Sequence, residues 1–491
     1  MSDNEFEAKS WLTGEPGQEY ATVRISKVTL DNFKSVRHGE ITFNCGNRYV
    51  PAGTKSDILG LYGQNGSGKT SLIEALSILE SLLCGSRVRD EYVECIAADA
   101  GSARLAFEFD FQYPDGRRLR VGYEFSIGRE KKPKEEPKTI DFDDTPFSQS
   151  IPFRVRVFDE VFKIGGQLNG RDWQYRTCID TSENSAFPFG PASKHAEFFK
   201  VTKKNKDTLA ANRIIASERS QSFIFMDETM EVFSNEGQNT SQFFTVLAEL
   251  NYFALYYLFV VDSRMSATYS IDVFLPVFTP RGTLPLQTGH AMNLPLKAAQ
   301  AVKREFDTIN DVLKELVPGL SIDMKEIGAT LLKDGSDGLS VEFVSRRDDL
   351  EFPLRDESAG IKKIISILNL VIAVFNQKST TVAIDEFDAG IFEYLLGEIL
   401  QMLEESGRGQ LIFTSHNLRP LEVLSKQFIR FTTTNADNRY YQMKNIGTNN
   451  NLRDVYFREI VMGEQDEVLY DSGKRFRIVS SFRRAASEDD I

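Results

Sequence analysis

The stretch GQNGSGKT, Gly63 to Thr70, constrains this chain more than any other. It follows the short apolar run SDILGLY and precedes SLIEALSILESLL. In the latter, Leu72, Ala75, Leu76, Leu79, Leu82 and Leu83 share one helical face. A glycine-rich turn between an apolar strand and an amphipathic helix predicts a strand–loop–helix unit. Backbone N–H groups of such a loop, with the positive end of the helix, favour a bound phosphate. The pattern GxxxxGK[ST] predicts nucleotide contacts from Gly63, Gln64, Asn65, Gly66, Ser67, Gly68, Lys69, Thr70 and Ser71. Lys69 is then expected on the β- and γ-phosphates and Thr70 on Mg²⁺.

A second constraint is TTVAIDEFDAG, an apolar strand that closes on Asp385 and Glu386. Alone, such a pair often only turns the chain into solvent. Beside a phosphate loop it reads as a Walker B strand. Asp385 is then expected to share Mg²⁺ with Thr70, and Glu386 to orient or deprotonate the attacking water. Asp388 has two compatible readings, an N-cap on the next helix or a contact to the opposite half of a nucleotide-bridged dimer. A third apolar run, QLIFTSHN, ends on His416, where an imidazole can meet the γ-phosphate. The catalytic candidates are therefore Lys69, Glu386 and His416, while His38, His195 and His290 read as structural.

Elsewhere the pattern is α/β. TVRISKVTLDNFKSVRHGEITF alternates as strands. Ala103 to Ile127 reads as a hairpin about a Pro-Asp-Gly turn. Gly128 to Lys138 is a charged loop with two prolines. LKAAQAVKREFDTINDVLKELV has helical spacing, and so do Ile361, Ile364, Ile365, Leu368, Val371, Ile372 and Phe375, opened by ESAGIKK. Ser358 suits the N-cap of that last helix. The expected division is a flexible leader (1–21), a first ATPase lobe (22–179), an inserted lobe (180–344) and a second ATPase lobe (345–491).

The 491 residues include 41% hydrophobic, enough for a core. The net charge of −13 argues against a surface coated for nucleic acid, though not against a local basic groove. Basic clusters occur at Arg117, Arg118 and Arg120, at Lys131, Lys132 and Lys134, and at Lys203, Lys204 and Lys206. The four cysteines, Cys45, Cys84, Cys95 and Cys178, form no CxxC, so a disulfide framework or zinc site is not expected and a reducing cytoplasm is. The apolar run Leu247–Val261 is interrupted by Glu249 and Asn251 and is shorter than the ~20 residues of a membrane span. It reads as buried core, and no membrane partner is expected.

The order of Asn32-Phe33-Lys34-Ser35, phosphate loop, S-x-G helix start, Asp385-Glu386, Asp388 and His416 resembles the ABC-type ATPases that include SMC proteins, RecF and the OLD and AbiLi families. LGLYGQNGSGKTSLIEAL, IDEFDAGIFEYLLGEIL, FTSHNLRPLEVL and NNNLRDVYFREI are most similar to prokaryotic AAA-family ATPases of the OLD/AbiLi kind, many of which serve in phage defence. The resemblance implies an α/β P-loop NTPase of the ABC/SMC-head type, a mixed sheet with flanking helices plus an inserted, largely helical lobe. It implies ATP and Mg²⁺ as cofactors and a head-to-tail dimer. Ser358, Ala359 and Gly360 would be a degenerate signature that meets ATP across the dimer. Glu357, Ala359 and Ile361 depart from the transporter pattern LSGGQ, which argues against a transporter.

The implied function is a nucleotide-gated sensor or scaffold. The stretch after His416 is too short for a TOPRIM nuclease domain, so a nuclease or other effector is expected to be separately encoded. The alternative is a RecF-like DNA-binding ATPase of repair.

Overall fold

The computed structural model describes residues 20–43, 56–132, 152–168, 171–182, 202–234, 242–262, 274–279, 282–287, 290–332, 335–347, 350–444, 451–462, 466–469 and 475–487. The chain begins with β1 (Thr22–Phe33), β2 (Val36–Thr42), β3 (Asp57–Tyr62) and α1 (Lys69–Leu83). Four long strands follow, β4 (Ser102–Gln112), β5 (Arg118–Lys131), β6 (Phe153–Leu168) and β7 (Arg171–Asp180). The middle segment holds α2 (Lys203–Arg219), α3 (Asp227–Ser234), α4 (Gln242–Tyr256), β8 (Leu258–Val261), β9 (Phe274–Thr279), β10 (Gly282–Gln287), β11 (Met292–Pro295), α5 (Leu296–Leu316), β12 (Leu320–Leu331) and β13 (Asp337–Arg347). Then come β14 (Leu350–Pro353), α6 (Ala359–Asn376), β15 (Thr381–Ile384), α7 (Glu393–Ser406), β16 (Gln410–Thr414), α8 (Pro420–Val423), β17 (Ile429–Thr432), β18 (Tyr440–Tyr441), α9 (Leu452–Met462) and α10 (Arg475–Ser487).

One six-stranded sheet carries the site, in the order β18-β17-β3-β16-β15-β8. Its five strands from β17 to β8 run parallel. Parallel strands buried on both faces read as near-continuous apolar runs. That is the pattern seen: Leu59, Leu61, Ala383 and Ile412 face a core made with α1 and α4, while Ile58, Val382, Ile384, Leu411 and Phe413 face a core made with α5, α6 and α7. A second sheet, β2-β1-β4-β5-β6-β7, is antiparallel throughout and joins the first core.

Two buried side chains tie the sheets together. Arg24 on β1 donates to the carbonyls of Lys378 and Arg408. Gln410 on β16 donates to Ile25 O at 2.9 Å and accepts from Ile25 N at 3.2 Å. Asn32 and Phe33 end β1, Lys34 and Ser35 form the turn into β2, and Lys34 pairs with the buried Glu74 of α1.

The hairpin around Pro114-Asp115-Gly116 is present as β4 and β5. The charged loop begins later than its composition indicates, because Gly128–Lys131 still pair with β6. Its remainder past Lys132 lies outside the described residues, as do 1–19 of the leader, Cys45, Lys134 and His195. The run Leu247–Val261 divides into the end of α4 and β8, with Leu247, Leu250, Phe253 and Leu258 buried. Strand β8 sits in the phosphate-loop sheet beside β15, so the middle segment contributes to that sheet as well as supplying helices. Helix α6 is long and apolar enough to cross a membrane by length and composition, yet its Ile364, Ile365, Leu368 and Val371 pack into the second core.

Beyond β8, Asp262 is fully buried and accepts from Ser77 Oγ and Tyr92 OH, each at 2.8 Å. Burial first, then this carboxylate, push Glu80 of α1 up to about 8, against the pull of Arg89. The folded state therefore keeps a proton that the unfolded chain releases near its ordinary value of 4.5. That stability is complete below the unfolded value and is lost as pH rises through the folded one. We expect the urea midpoint to fall between about pH 5 and about pH 9 and Glu80→Gln to flatten the decline.

Candidate functional site

The parallel strands bring their C-terminal ends to one edge, the usual location of ligands in open α/β sheets. At the end of β3 the backbone opens at Gly63, with φ +154°, where a Cβ would stand 1.9 Å from Thr432 Oγ1. At Gly68, with φ +95°, it turns into α1. Ser67 Oγ donates to Gln64 O at 2.6 Å and bonds Thr432 Oγ1, and Tyr440 OH donates to Gly68 O at 2.9 Å. The loop is thus braced from β17 and β18. Asn65 and Gly66 are exposed at its tip, and Ser71 is buried. Lys69 Nζ lies over the loop, donating to Gly63 O at 2.8 Å and Gln64 O at 3.1 Å. Burial lowers the ammonium's pKa, and Asp385, Glu386 and Asp388 pull it back up.

Asp385 follows the last residue of β15. Its Oδ1 accepts from Thr414 Oγ1 at 2.5 Å and from Thr70 Oγ1 at 3.3 Å. Its Oδ2 is buried with no hydrogen-bond partner among the described residues. A buried carboxylate oxygen lacking a donor, beside a threonine hydroxyl on a phosphate loop, fits a hard divalent cation. Mg²⁺ takes one or two protein ligands in such sites and leaves the rest to water and phosphate. Among the described residues no cluster of three or more His, Cys, Asp or Glu offers an all-protein cage.

Glu386 is exposed and has φ +49°, the left-handed region, at a non-glycine residue. Such a backbone costs of order 1–3 kcal/mol and persists where its surroundings hold it. Here Glu386 N donates to Thr414 Oγ1 at 2.8 Å and Phe387 N to Thr414 O at 3.0 Å. Thr414 fixes both carboxylate residues at once.

Asp388 is not the N-cap of α7. That position is Phe392, with no side-chain cap. The Asp388 carboxylate instead accepts from His416 N at 3.1 Å and Asn417 N at 2.9 Å, because the turn after β15 runs beside the end of β16. His416 itself is exposed. Ser358 caps α6, accepting from Ile361 N at 3.3 Å, and its side chain is exposed. Gly360 lies against Gly390: a Cβ there would meet Gly390 O at 2.5 Å.

Residues 24–419 match the AAA ATPase domain family. The chain belongs to that family. No curated protein matches it in sequence. Among solved structures, this AAA ATPase is similar to the SMC head domain from Thermotoga maritima, at 14% identity over 86% of this chain and 100% of that one, with a TM-score of 0.34. It is similar to the SMC head with an extended coiled coil bound to the C-terminal domain of ScpA, from Pyrococcus furiosus (13% identity, 86% and 96% covered, TM-score 0.38). It is also similar to the recombination mediator RecF with ATP (12% identity, 86% and 100% covered, TM-score 0.33).

In this ATPase the fold brings Lys69, Thr70, Asp385 and Glu386 together and joins Asp388 to the backbone at His416. The described contacts of Ser358–Gly360 are with their own helix and with Gly390, not with the phosphate loop. His38 pairs with Asp31 at 2.7 Å, and His290 is exposed. Three contributors were not singled out by sequence. Thr414 stood two residues before His416, and a hydroxyl ending an apolar strand was its signal. Lys363 lies in ESAGIKK; burial lowers its pKa, while Asp385, Glu386 and Asp388 raise it, so it faces the same carboxylates as Lys69. Tyr440 had no sequence signal.

Thr414→Val keeps the shape and removes the hydroxyl, leaving Glu386 N without its acceptor. We expect a loss of about 1–3 kcal/mol in denaturant unfolding, recovered by Thr414→Ser.

Proposed function

We propose that this AAA ATPase hydrolyses ATP between two copies of itself and works as a nucleotide-gated sensor or scaffold for a separately encoded effector such as a nuclease. One observation supports this most: the site is divided. Lys69, Thr70, Asp385 and Glu386 converge at one sheet edge, whereas Ser358 and Ala359 are exposed at the start of α6. A helix N-terminus carries partial positive charge and N–H donors, which suit the γ-phosphate of a second copy. The defence role rests on the OLD/AbiLi resemblance.

In this reading Lys69 leaves the carbonyls of Gly63 and Gln64 for the β- and γ-phosphates. Thr70 and Asp385 would hold Mg²⁺, which would supply charge neutralisation for the phosphates. Glu386, held outward by Thr414, orients the attacking water and accepts its proton. His416 meets the γ-phosphate, and loss of that group is passed to Asp388 through the two backbone bonds.

A second reading, DNA binding as in repair, has a narrower footing. Arg117 and Arg120 pair with Asp115 and Glu108, and Lys132 pairs with Asp90. Lys203 and Lys204 remain exposed at the start of α2. Binding of duplex DNA that weakens steeply with salt and is reduced by Lys203→Glu with Lys204→Glu would favour it.

For the first reading, Glu386→Gln with ATP and Mg²⁺ should accumulate a dimer or larger assembly in light scattering. Ser358→Asp retains an N-cap but sets a negative charge against phosphate. It should bind ATP as the parent does and yet lose dimer and turnover. A parent chain that hydrolyses ATP as a monomer, or an unaffected Ser358→Asp, overturns the shared site.

A further inference from the structure

Helix α10 leaves its apolar face uncovered. Its sequence, RFRIVSSFRRAAS, carries four arginines and no acidic residue, in a chain of net charge −13. Ile478, Val479 and Phe482 recur at i, i+1 and i+4, on one helical face. All three are exposed, Phe482 by 75%. Arg477 and Arg483 lie to either side of that face, exposed, and make no ion pair among the described residues.

Helix α7, EYLLGEILQMLEES, has the opposite composition, four glutamates and no lysine or arginine. Leu396, Ile399, Leu400 and Leu403 bury one side of it. The other side shows Tyr394, Glu398, Gln401, Met402 and Glu405, at i, i+4, i+7, i+8 and i+11, all exposed. Phe392 extends this surface, its ring 5.6 Å from that of Tyr394, and is 68% exposed. Arg419 lies 5.0 Å over the Tyr394 ring, yet that residue stays 56% exposed. Glu398 has no hydrogen bond or ion pair among the described residues, and Glu405 accepts from Gln401 of its own helix at 3.0 Å.

Two surfaces of one chain thus match in form and charge. The helices have 14 and 13 residues, about 20 Å each. Each sets exposed apolar side chains among charges of one sign, and the signs are opposite. An anionic lipid surface would suit α10 but leave α7 uncovered. Nucleic acid would leave both apolar sets in water. A helix of opposite charge covers both faces at once.

Placement favours a partner over the parent body. Before α10, Leu469 is buried and Val468 O accepts from Thr434 N at 2.8 Å. These contacts hold the chain at the turn between β17 and β18, the β18 edge of the phosphate-loop sheet. Five residues then lead to α10. Helix α7 joins β15 to β16, on the other side of β3.

We propose that α10 of one copy packs on α7 of a second copy, and reciprocally, as a clasp that needs no nucleotide. Ile478, Val479 and Phe482 cover Tyr394 and Met402, and the flanking arginines meet Glu398 and Glu405. In a two-fold pair the contact is made twice. Its ion pairs lie at the rim, so salt weakens it. It shares no residue with the proposed ATP contact at Ser358 and stands whether or not that contact forms.

The test uses the full chain without nucleotide, at about 50 mM salt, in sedimentation velocity. The parent should form dimers that separate at about 500 mM salt. Arg477→Glu with Arg483→Glu, or Glu398→Arg with Glu405→Arg, should each weaken the dimer by about tenfold or more, because like charges then face each other. All four positions are exposed, so circular dichroism should be unchanged. Mixed together, the two variant chains should associate again, since every α10 then meets an α7 of opposite sign. Only exchange between copies gives that rescue. Dimers that ignore both reversals, or a mixture that stays monomeric, overturn the proposal. So does a monomeric parent, and its binding to phosphatidylglycerol vesicles or to duplex DNA would then assign α10 to that surface instead.

Discussion

The site depends on the meeting of Thr414, Asp385 and Thr70. One carboxylate oxygen takes a hydroxyl from β16 and another from α1, and the carboxylate itself stands at the end of β15. This meeting is available only because β3, β16 and β15 run parallel and end together. It also leaves Asp385 Oδ2 buried and without a partner among the described residues. An unsatisfied buried oxygen costs about 1–3 kcal/mol, so a cation placed there stabilises the fold as well as the nucleotide.

The turn after β15 is the hub of what surrounds this meeting. At Asp388 it holds the backbone of His416 and Asn417. Two residues later, at Gly390, it touches Gly360 near the start of α6. A shift of the His416 loop therefore has a direct mechanical route to α6 through one short segment. Lys363, one turn further along α6, faces the same carboxylates. From His416 to Asp388 and from Gly390 to Gly360, each link is a hydrogen bond or a close backbone approach.

Much of this was legible in sequence, for identifiable reasons. The phosphate loop, α1, α6, the β4–β5 hairpin and the strands at Asp385 and His416 announce themselves because each has a strong period or a fixed turn residue. Strand β8 did not. Leu258–Val261 follows α4 with one residue between them, so helix and strand merge into one apolar run. Nothing local tells a four-residue strand that its partner β15 lies more than a hundred residues away. The bonding of Asp388 was not legible, since capping follows local position whereas the His416 loop reaches it through sheet order. Tyr440 braces Gly68 from the far edge of the sheet, and only the tertiary fold reveals it.

The stretch ESAGIKK shows how differently two residues of one motif can be accounted for. Gly360 is demanded within a single chain, because any Cβ would run into Gly390 O at 2.5 Å. Its presence says nothing about a second copy. Ser358 is different. Its capping bond to Ile361 N is long, at 3.3 Å, and Asp, Asn or Thr would cap as well. The side chain is exposed at the one end of α6 that favours an anion. Packing explains the glycine completely and the serine only in part, so the weight of the two-copy reading falls on Ser358.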